Sequence, residues 1–180
     1  MKATPTRLAE VVLIEPTVLM DLRGHFMETY SKKFLDAHGI AVDFVQDNQS
    51  LSHRAGTLRG LHYQLSPCAQ GKLVRCIRGA IFDVAVDIRR SSPTFKQWIG
   101  VVLSADNRKQ LWVPPGFAHG FVTLEDDSEL AYKVTVQYSK AHDRSILWSD
   151  PELAIDWNIT NPILSEKDAS AVLLERAELT

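Results

Sequence analysis

Apolar and polar positions alternate through the middle of the chain. From Ile81 to Ile88, Phe82, Val84, Val86 and Ile88 fall on one side and Ile81, Asp83, Ala85 and Asp87 on the other. That is the period of two that a pleated strand imposes. Residues 98–103, 110–113, 120–124 and 130–136 read as further strands of similar length. Asp106-Asn107, Pro114-Pro115-Gly116 and Glu125-Asp126-Asp127 break the pattern between them. Earlier, residues 11–14 and 17–20 read as short strands around Pro16, followed by a turn at Asp21-Leu22-Arg23-Gly24. Ser31 can cap a short helix through Phe34 and Leu35, with Gly39 as its stop. Near the other end, Ser165-Glu166-Lys167-Asp168, followed by Ala169, Val172, Leu173 and Arg176, predicts a capped amphipathic helix. Many short strands with regular turns predict a mainly β sandwich, jelly roll or barrel, with short helices near the N- and C-termini.

Length and charge narrow the classes. The 180 residues suit a single domain, 1–180, with one sizeable core. A net charge of −2, with both signs well mixed, disfavours nucleic-acid and anionic-membrane partners. No apolar run approaches the roughly 18 residues of a spanning helix. Glu15 and Pro16 interrupt the early apolar patch too soon for a signal peptide. Cys68 and Cys76 lack CxxC spacing, so a reduced, cytoplasmic setting is expected.

The candidate chemistry gathers in the stretch Gly56-Thr57-Leu58-Arg59-Gly60-Leu61-His62-Tyr63-Gln64, closed by Lys72-Leu73-Val74. On a regular strand, Leu58, Gly60, His62 and Gln64 share a face, and a His and a Gln on an apolar face need a reason. Gly56 lies six residues before His62, and a Pro114-Pro115-Gly116-Phe117-Ala118-His119 segment follows later. These resemble the two half-motifs of the cupin superfamily, a small jelly-roll barrel. The departures matter. Gln64 stands where a second His would be, and Lys72, seven residues before Gly79, stands where a Glu ligand would be. A cation repels a metal, so no metal is expected, and with no G-x-G-x-x-G signature no NAD is implied either.

A His with a Lys suits different chemistry. Neutral imidazole is a general base near pH 7, and an ammonium stabilises a developing oxyanion. A carboxylate orients the His, and a Tyr donates a proton from the other side. The set fits proton abstraction α to a carbonyl through an enolate. Tyr132 shares parity with Leu130 and Val134 and so points inward, where it is either an acid or a core aromatic. Lys72 alone reads as a solvated lysine, and Asp168 as a capping-box residue. Asp83 either faces water or supports a site His from behind.

The blocks Asp21-Leu22-Arg23-Gly24-His25-Phe26-Met27-Glu28, Phe44-Val45-Gln46-Asp47-Asn48, Leu58-Arg59-Gly60-Leu61-His62-Tyr63-Gln64, Gly71-Lys72-Leu73-Val74, Asp83-Val84-Ala85-Val86-Asp87-Ile88-Arg89, Gln110-Leu111-Trp112, Gly116-Phe117-Ala118-His119-Gly120-Phe121 and Leu164-Ser165-Glu166-Lys167-Asp168 run in order over nearly the whole chain. Together they resemble the dTDP-4-dehydrorhamnose 3,5-epimerase family. The resemblance implies a cupin-like jelly roll acting without a cofactor on a dTDP-4-keto-6-deoxyhexose, and a homodimer. It makes His62 the base with Asp168 as its partner, Tyr132 the acid and Lys72 the enolate stabiliser. Arg59, His119, Gln46, Asp47 and Asn48 would hold the nucleotide-sugar, with Arg59 near the diphosphate. Tyr138 would stack on the thymine, and Asp143 and Lys167 are further matches, Asp143 being shorter than the family's usual Glu. Arg23, Phe26 and Glu28 would reach into the neighbouring subunit's site.

One conflict remains in the pattern. Arg59 and His62 have opposite parity, yet both should face ligand; Gly60 between them can mark a bulge. Three rival readings also fit parts of the pattern. They are a single-centre epimerase or keto-isomerase of a dTDP-deoxysugar, a metal-dependent cupin oxygenase using His62, His119 and Gln64, and a sugar-binding cupin without activity.

Overall fold

In the computed structural model, which describes residues 1–179, the alternating segments form two facing antiparallel sheets. In chain order the strands are β1 (Lys2–Pro5), β2 (Val12–Glu15), β3 (Val18–Asp21), β4 (Gly24–Met27), β5 (Gln46–Ser52), β6 (Leu58–Gln64), β7 (Lys72–Arg78), β8 (Ala80–Asp87), β9 (Trp98–Ser104), β10 (Gln110–Val113), β11 (Phe117–Thr123), β12 (Ser128–Val134) and β13 (Asp143–Ser145). One sheet has the order β1-β2-β10-β7-β12-β5 and the other β13-β6-β11-β8-β9. From β5 onward nearly every connection crosses from one sheet to the other, which makes a jelly roll. Strands β3 and β4 pair only with each other. Helix α1 (Lys32–Ala37) follows that hairpin, and α2 (Glu166–Ala169) lies near the C-terminus.

The apolar side chains pack in three layers. Val74, Cys76, Ile81, Ala85, Leu111, Phe121 and Leu130 fill the space between the sheets. Val12, Ile14, Leu73 and Trp112 cover the outer face of the six-stranded sheet beneath α1, which contributes Leu35. Val84, Val86, Ile88, Leu61 and Tyr63 cover the outer face of the other sheet, under Ile146, Leu153, Trp157 and Leu174 of the C-terminal segment. Strand β8 is therefore buried on both faces, and Asp83 faces the interior. Each fully buried aliphatic side chain contributes about 1.5–3 kcal/mol.

Helix α1 has Ser31 as its cap, with Phe34 N–H donating to the Ser31 hydroxyl, and Gly39 follows at φ +79°. The C-terminal helix is shorter than its amphipathic pattern predicts. It ends after a single turn because the chain then runs extended past Val172, which bridges to Ile146; Leu147 N–H donates to the Val172 carbonyl at 2.8 Å. Leu174–Arg176 resume as a single 3-10 turn. Strand β11 starts at Phe117, earlier than its alternation suggests, which brings His119 into the sheet. Strands β1, β5 and β13 carry little hydrophobic pattern. Strand β5, Gln-Asp-Asn-Gln-Ser-Leu-Ser, forms the edge of its sheet, and backbone pairing with β12 holds it there.

The parity conflict in β6 resolves as a bulge. His119 lies opposite His62, and Phe121 opposite Arg59, so two steps along β11 match three along β6. The extra residue turns both Arg59 and His62 inward while Leu58 and Leu61 face the outer layer. Leu58 thus does not share a face with His62, contrary to the regular-strand expectation. Gly60 makes this possible. It has φ +135°, and a Cβ on it would stand 2.5 Å from the Gly120 Cα on the neighbouring strand. Gly60→Ala should therefore lower stability by at least about 1–3 kcal/mol through backbone strain, with a further steric contribution. Thermal unfolding is the measurement, and an unchanged melting temperature would mean that the two strands can separate freely at this point.

Candidate active site

Strands β5, β6, β7, β11, β12 and β13 and helix α2 direct polar groups into the space between the sheets. His62 on β6 and His119 on β11 are direct cross-strand partners on one wall. Lys72 on β7 and Tyr132 on β12 are diagonal neighbours on the other wall, since Tyr132 pairs with Val74 and Val134 with Lys72. His62, Lys72, Tyr132, His119, Arg59 and Asp168 line one chamber of about 390 Å³. His62, Lys72 and Tyr132 also line a second, of about 420 Å³, together with Gln46, Asn48, Tyr138, Asp143 and Lys167. The three shared side chains sit where the chambers meet.

Each histidine is held by a buried carboxylate. His62 Nε2 lies 2.5 Å from Asp168 Oδ1, and His119 Nε2 lies 2.8 Å from Asp83 Oδ1. An ionised carboxylate only accepts, so each pair places a ring proton on Nε2; a neutral His62 ring then keeps its lone pair on Nδ1. Asp168 is also the N3 residue of α2. Its backbone N–H donates to Ser165 Oγ, whose hydroxyl donates back to Asp168 Oδ2 at 2.7 Å. The cap and the histidine contact are thus made by the same residue at once. Burial pushes the Asp168 carboxyl up, but hydrogen bonds from His62 and Ser165 more than reverse this and hold it below the ordinary carboxylate range.

Lys72 retains some contact with solvent through the cavity, yet it is surrounded by both sheets. Desolvation pulls its ammonium down to about 8, with the negative charges of Asp83 and Asp143 opposing that fall. Its Nζ sits 3.5 Å from the His62 carbonyl. Burial raises the Tyr132 phenol, with the Arg59 charge pulling the other way. Arg59 rests against the edge strand, donating to Ser52 Oγ and the Leu51 carbonyl, both at 3.2 Å. A half-buried histidine backed by a carboxylate, an ammonium and a protonated phenol on facing walls can remove a proton from one side of a bound carbon acid and return one from the other.

A family model described as dTDP-4-dehydrorhamnose 3,5-epimerase matches residues 5–176. The chain belongs to the dTDP-4-dehydrorhamnose 3,5-epimerase family. A relative of that name from Shigella flexneri is 56% identical over 169 residues, covering 93% of each chain. The fold agrees with solved members. The Bacillus anthracis dTDP-4-dehydrorhamnose 3,5-epimerase, crystallised with TDP and PPi bound, superposes with a TM-score of 0.94 at 53% identity, covering 96% of this chain and 98% of that one. A dTDP-6-deoxy-D-glucose-3,5-epimerase from Legionella pneumophila, in complex with dTDP-4-keto-L-rhamnose, gives 0.93 at 48% identity, covering 98% of this chain and 94% of that one.

Not every residue singled out in this epimerase-family sequence joins the cavity. Asp47 points from the opposite face of β5 and pairs with Lys133 at 2.9 Å. It lines an outer cleft of about 290 Å³ with Arg75 and Gln110, which holds neither a histidine nor a cysteine and meets the chambers only at Asn48 and Tyr132. Arg23, Phe26 and Glu28 lie on or just after the β3–β4 hairpin, exposed, and line neither chamber; Arg23 is paired with Asp21. Gln64 lines the second chamber, but its amide is taken up by backbone groups. It is buried, its amide donates to the Cys68 carbonyl at 2.6 Å, and its oxygen accepts from Ser139 N–H at 2.7 Å, pinning two loops beside the cavity. Lys167 and Tyr138 both reach Asp143 Oδ2, at 2.5 and 3.1 Å, and Tyr138 is otherwise exposed. The Asp83–His119 contact had only a parity signal in the sequence, because the residues that meet are set by the β8–β11 register.

The depressed Asp168 carboxyl makes a stability prediction. A carboxylate held low stabilises the fold above its unfolded value, near 3.9, and loses that contribution as pH falls through the folded value. Asp168→Asn should cost about 1–3 kcal/mol at pH 7, and the gap to the parent should close as pH drops below about 4. Denaturant melts at both pH values measure it; a pH-independent gap would mean that the carboxylate charge adds nothing.

Proposed function

We propose that the protein epimerises C3 and C5 of dTDP-4-dehydro-6-deoxy-D-glucose, giving dTDP-4-dehydro-L-rhamnose. Family membership supports the reaction. The observation that carries the assignment of roles is that Asp168-backed His62 and Tyr132 face one cavity from opposite sheets, with Lys72 beside Tyr132. The C4 ketone acidifies the neighbouring C–H bonds. His62 Nδ1 takes the proton, and Asp168 stabilises the imidazolium that forms. The electron pair moves to the C4 oxygen, where Lys72 offsets the enolate charge. Tyr132 returns a proton to the opposite face, inverting the centre, and the tyrosinate and imidazolium reset by exchange with solvent. One base and one enolate stabiliser serve both centres. In this reading Arg59 and His119 hold the diphosphate end, and Gln46, Asn48, Tyr138, Asp143 and Lys167 hold the nucleoside end. The two cysteines are unpaired, which fits a reducing cytoplasm.

Incubation in D2O with the 4-keto substrate should place deuterium at both C3 and C5. His62→Ala should slow turnover by roughly 10²–10⁴, the usual worth of a positioned general base. Tyr132→Phe keeps the ring and loses only the hydroxyl. It should still wash deuterium into the sugar while net inversion lags, enriching singly inverted product. Deuterium at one carbon only in the parent enzyme would favour a single-centre epimerase, and normal turnover in either variant would remove that residue from its role.

The proposal extends to a shared site in a homodimer. The β3–β4 hairpin forms a sheet of its own and exposes Leu19, Met20, Leu22 and Phe26. Apolar side chains on such a hairpin suit pairing with a second copy, and β5 offers an open sheet edge beside the cavity. Each site would then combine Arg23, Phe26 and Glu28 of one chain with His62 of the other. A heterodimer of Arg23→Ala and His62→Ala chains carries both lesions in one site and neither in the other. Mixing two nearly inactive homodimers should restore up to about half of parental activity in the heterodimer. No recovery with heterodimers present would assign the hairpin to its own chain.

A further inference from the structure

The second buried pair, Asp83 with His119, lies outside the His62–Asp168 assembly, and the reaction as written makes no use of its carboxylate. Asp83 sits in the middle of β8, fully buried, opposite Phe121 on β11. One of its oxygens, Oδ1, is taken by His119. The other, Oδ2, is equally buried and has no hydrogen-bond donor among the described residues. A carboxylate sunk between two sheets with half its acceptors unused is costly to keep. Buried charges persist where they are compensated by opposite charge, and the Lys72 ammonium reaches across the cavity to the same wall, 3.5 Å from the carbonyl of His62, the cross-strand partner of His119.

We propose that Asp83 is a positioning residue with two tasks: it fixes the His119 ring through Nε2, and its charge keeps the Lys72 ammonium protonated in the working enzyme. The inference rests on the epimerase reading, in which Lys72 must be charged to hold the enolate.

Several other groups face Lys72. Asp143 on β13 also favours its charge and Lys167 on α2 opposes it, but Asp83 is the strongest of the three influences. His62, His119 and Tyr132 share its chamber. Asp143 cannot substitute for Asp83, because its Oδ2 already serves Lys167 and Tyr138 near the solvent-exposed end. With Lys72 already drawn down to about 8, little margin remains. Loss of a neighbouring unit charge moves a titrating group by about one unit or more. Lys72 would then be largely uncharged at pH 8.

The test is Asp83→Asn, which keeps a hydrogen-bond acceptor for His119 and removes only the charge. The Lys72 titration is followed by NMR of its labelled Nζ, assigned by comparison with Lys72→Arg. The midpoint should fall by about one unit, and the ratio of kcat at pH 8 to kcat at pH 6 should fall about five-fold. Asp83→Glu, which retains the charge, should recover most of the ratio. An unchanged Lys72 midpoint, or a loss of rate equal at both pH values, overturns the proposal. The NMR titration needs no turnover, so its outcome is independent of whether deuterium exchange upholds the epimerase reading. If Asp83→Asn does not fold, the double variant Asp83→Asn/Lys72→Met, lacking both charges, should fold. Failure of that double variant while Lys72→Met alone folds also overturns the proposal.

Discussion

The inner wall of the five-stranded sheet takes its direction from the contact between Gly60 and Gly120. These two backbones lie closer than any Cβ on Gly60 would allow, and the close approach lets β6 gain a residue on β11 without separating from it. A regular β6 would send Arg59 and His62 to opposite faces. One of them would then point into the outer apolar layer beneath the C-terminal segment, where Leu58, Leu61 and Tyr63 pack. The bulge changes the parity between Arg59 and His62 alone; before and after it, the strand keeps its ordinary alternation of core and cavity.

With that direction set, the polar interior becomes a set of hydrogen-bonded pairs. Two histidines lie side by side across strands, and each is backed by a carboxylate from a different element: Asp168 from α2 and Asp83 from β8. Using different elements matters mechanically. The Asp168 contact ties the C-terminal segment to the barrel, so the same tail that covers the outer apolar layer also orients the ring in the cavity. The facing wall supplies the cation and the phenol. Desolvation acts in opposite senses on these two groups, lowering Lys72 and raising Tyr132. Both shifts favour the neutral form. For the tyrosine this keeps the hydroxyl protonated; for the lysine it weakens the ammonium, and the charges of Asp83 and Asp143 oppose that.

Much of this was legible from residues alone. The alternation in Ile81–Ile88 marks β8, the turn residues separate the strands that follow, and Ser31 and Ser165 mark helix starts that the structure contains. The ordered blocks point to the epimerase family to which the chain belongs. The polar edge strand β5 and the short β13 were not legible, because backbone pairing with β12 and β6 holds them rather than any hydrophobic pattern of their own. The tail helix stops early because Val172 finds a strand partner in Ile146, which lies far away in sequence.

The sequence by itself determined the identities of the polar side chains: a histidine, a lysine and a tyrosine at spacings that put them on strands of a mainly β fold, and carboxylates on a strand and a helix. Tertiary structure decided which of them meet. Inter-strand register joined Asp83 to His119, and the bulge at Gly60 joined Arg59 to His62. The outward face of β5 sent Asp47 to Lys133, away from the cavity. Strand periodicity is a local property, set by the two faces of a pleat, and it is readable one segment at a time. Register and bulges are relations between segments, fixed only when close backbone approach and buried charges on neighbouring strands are satisfied together.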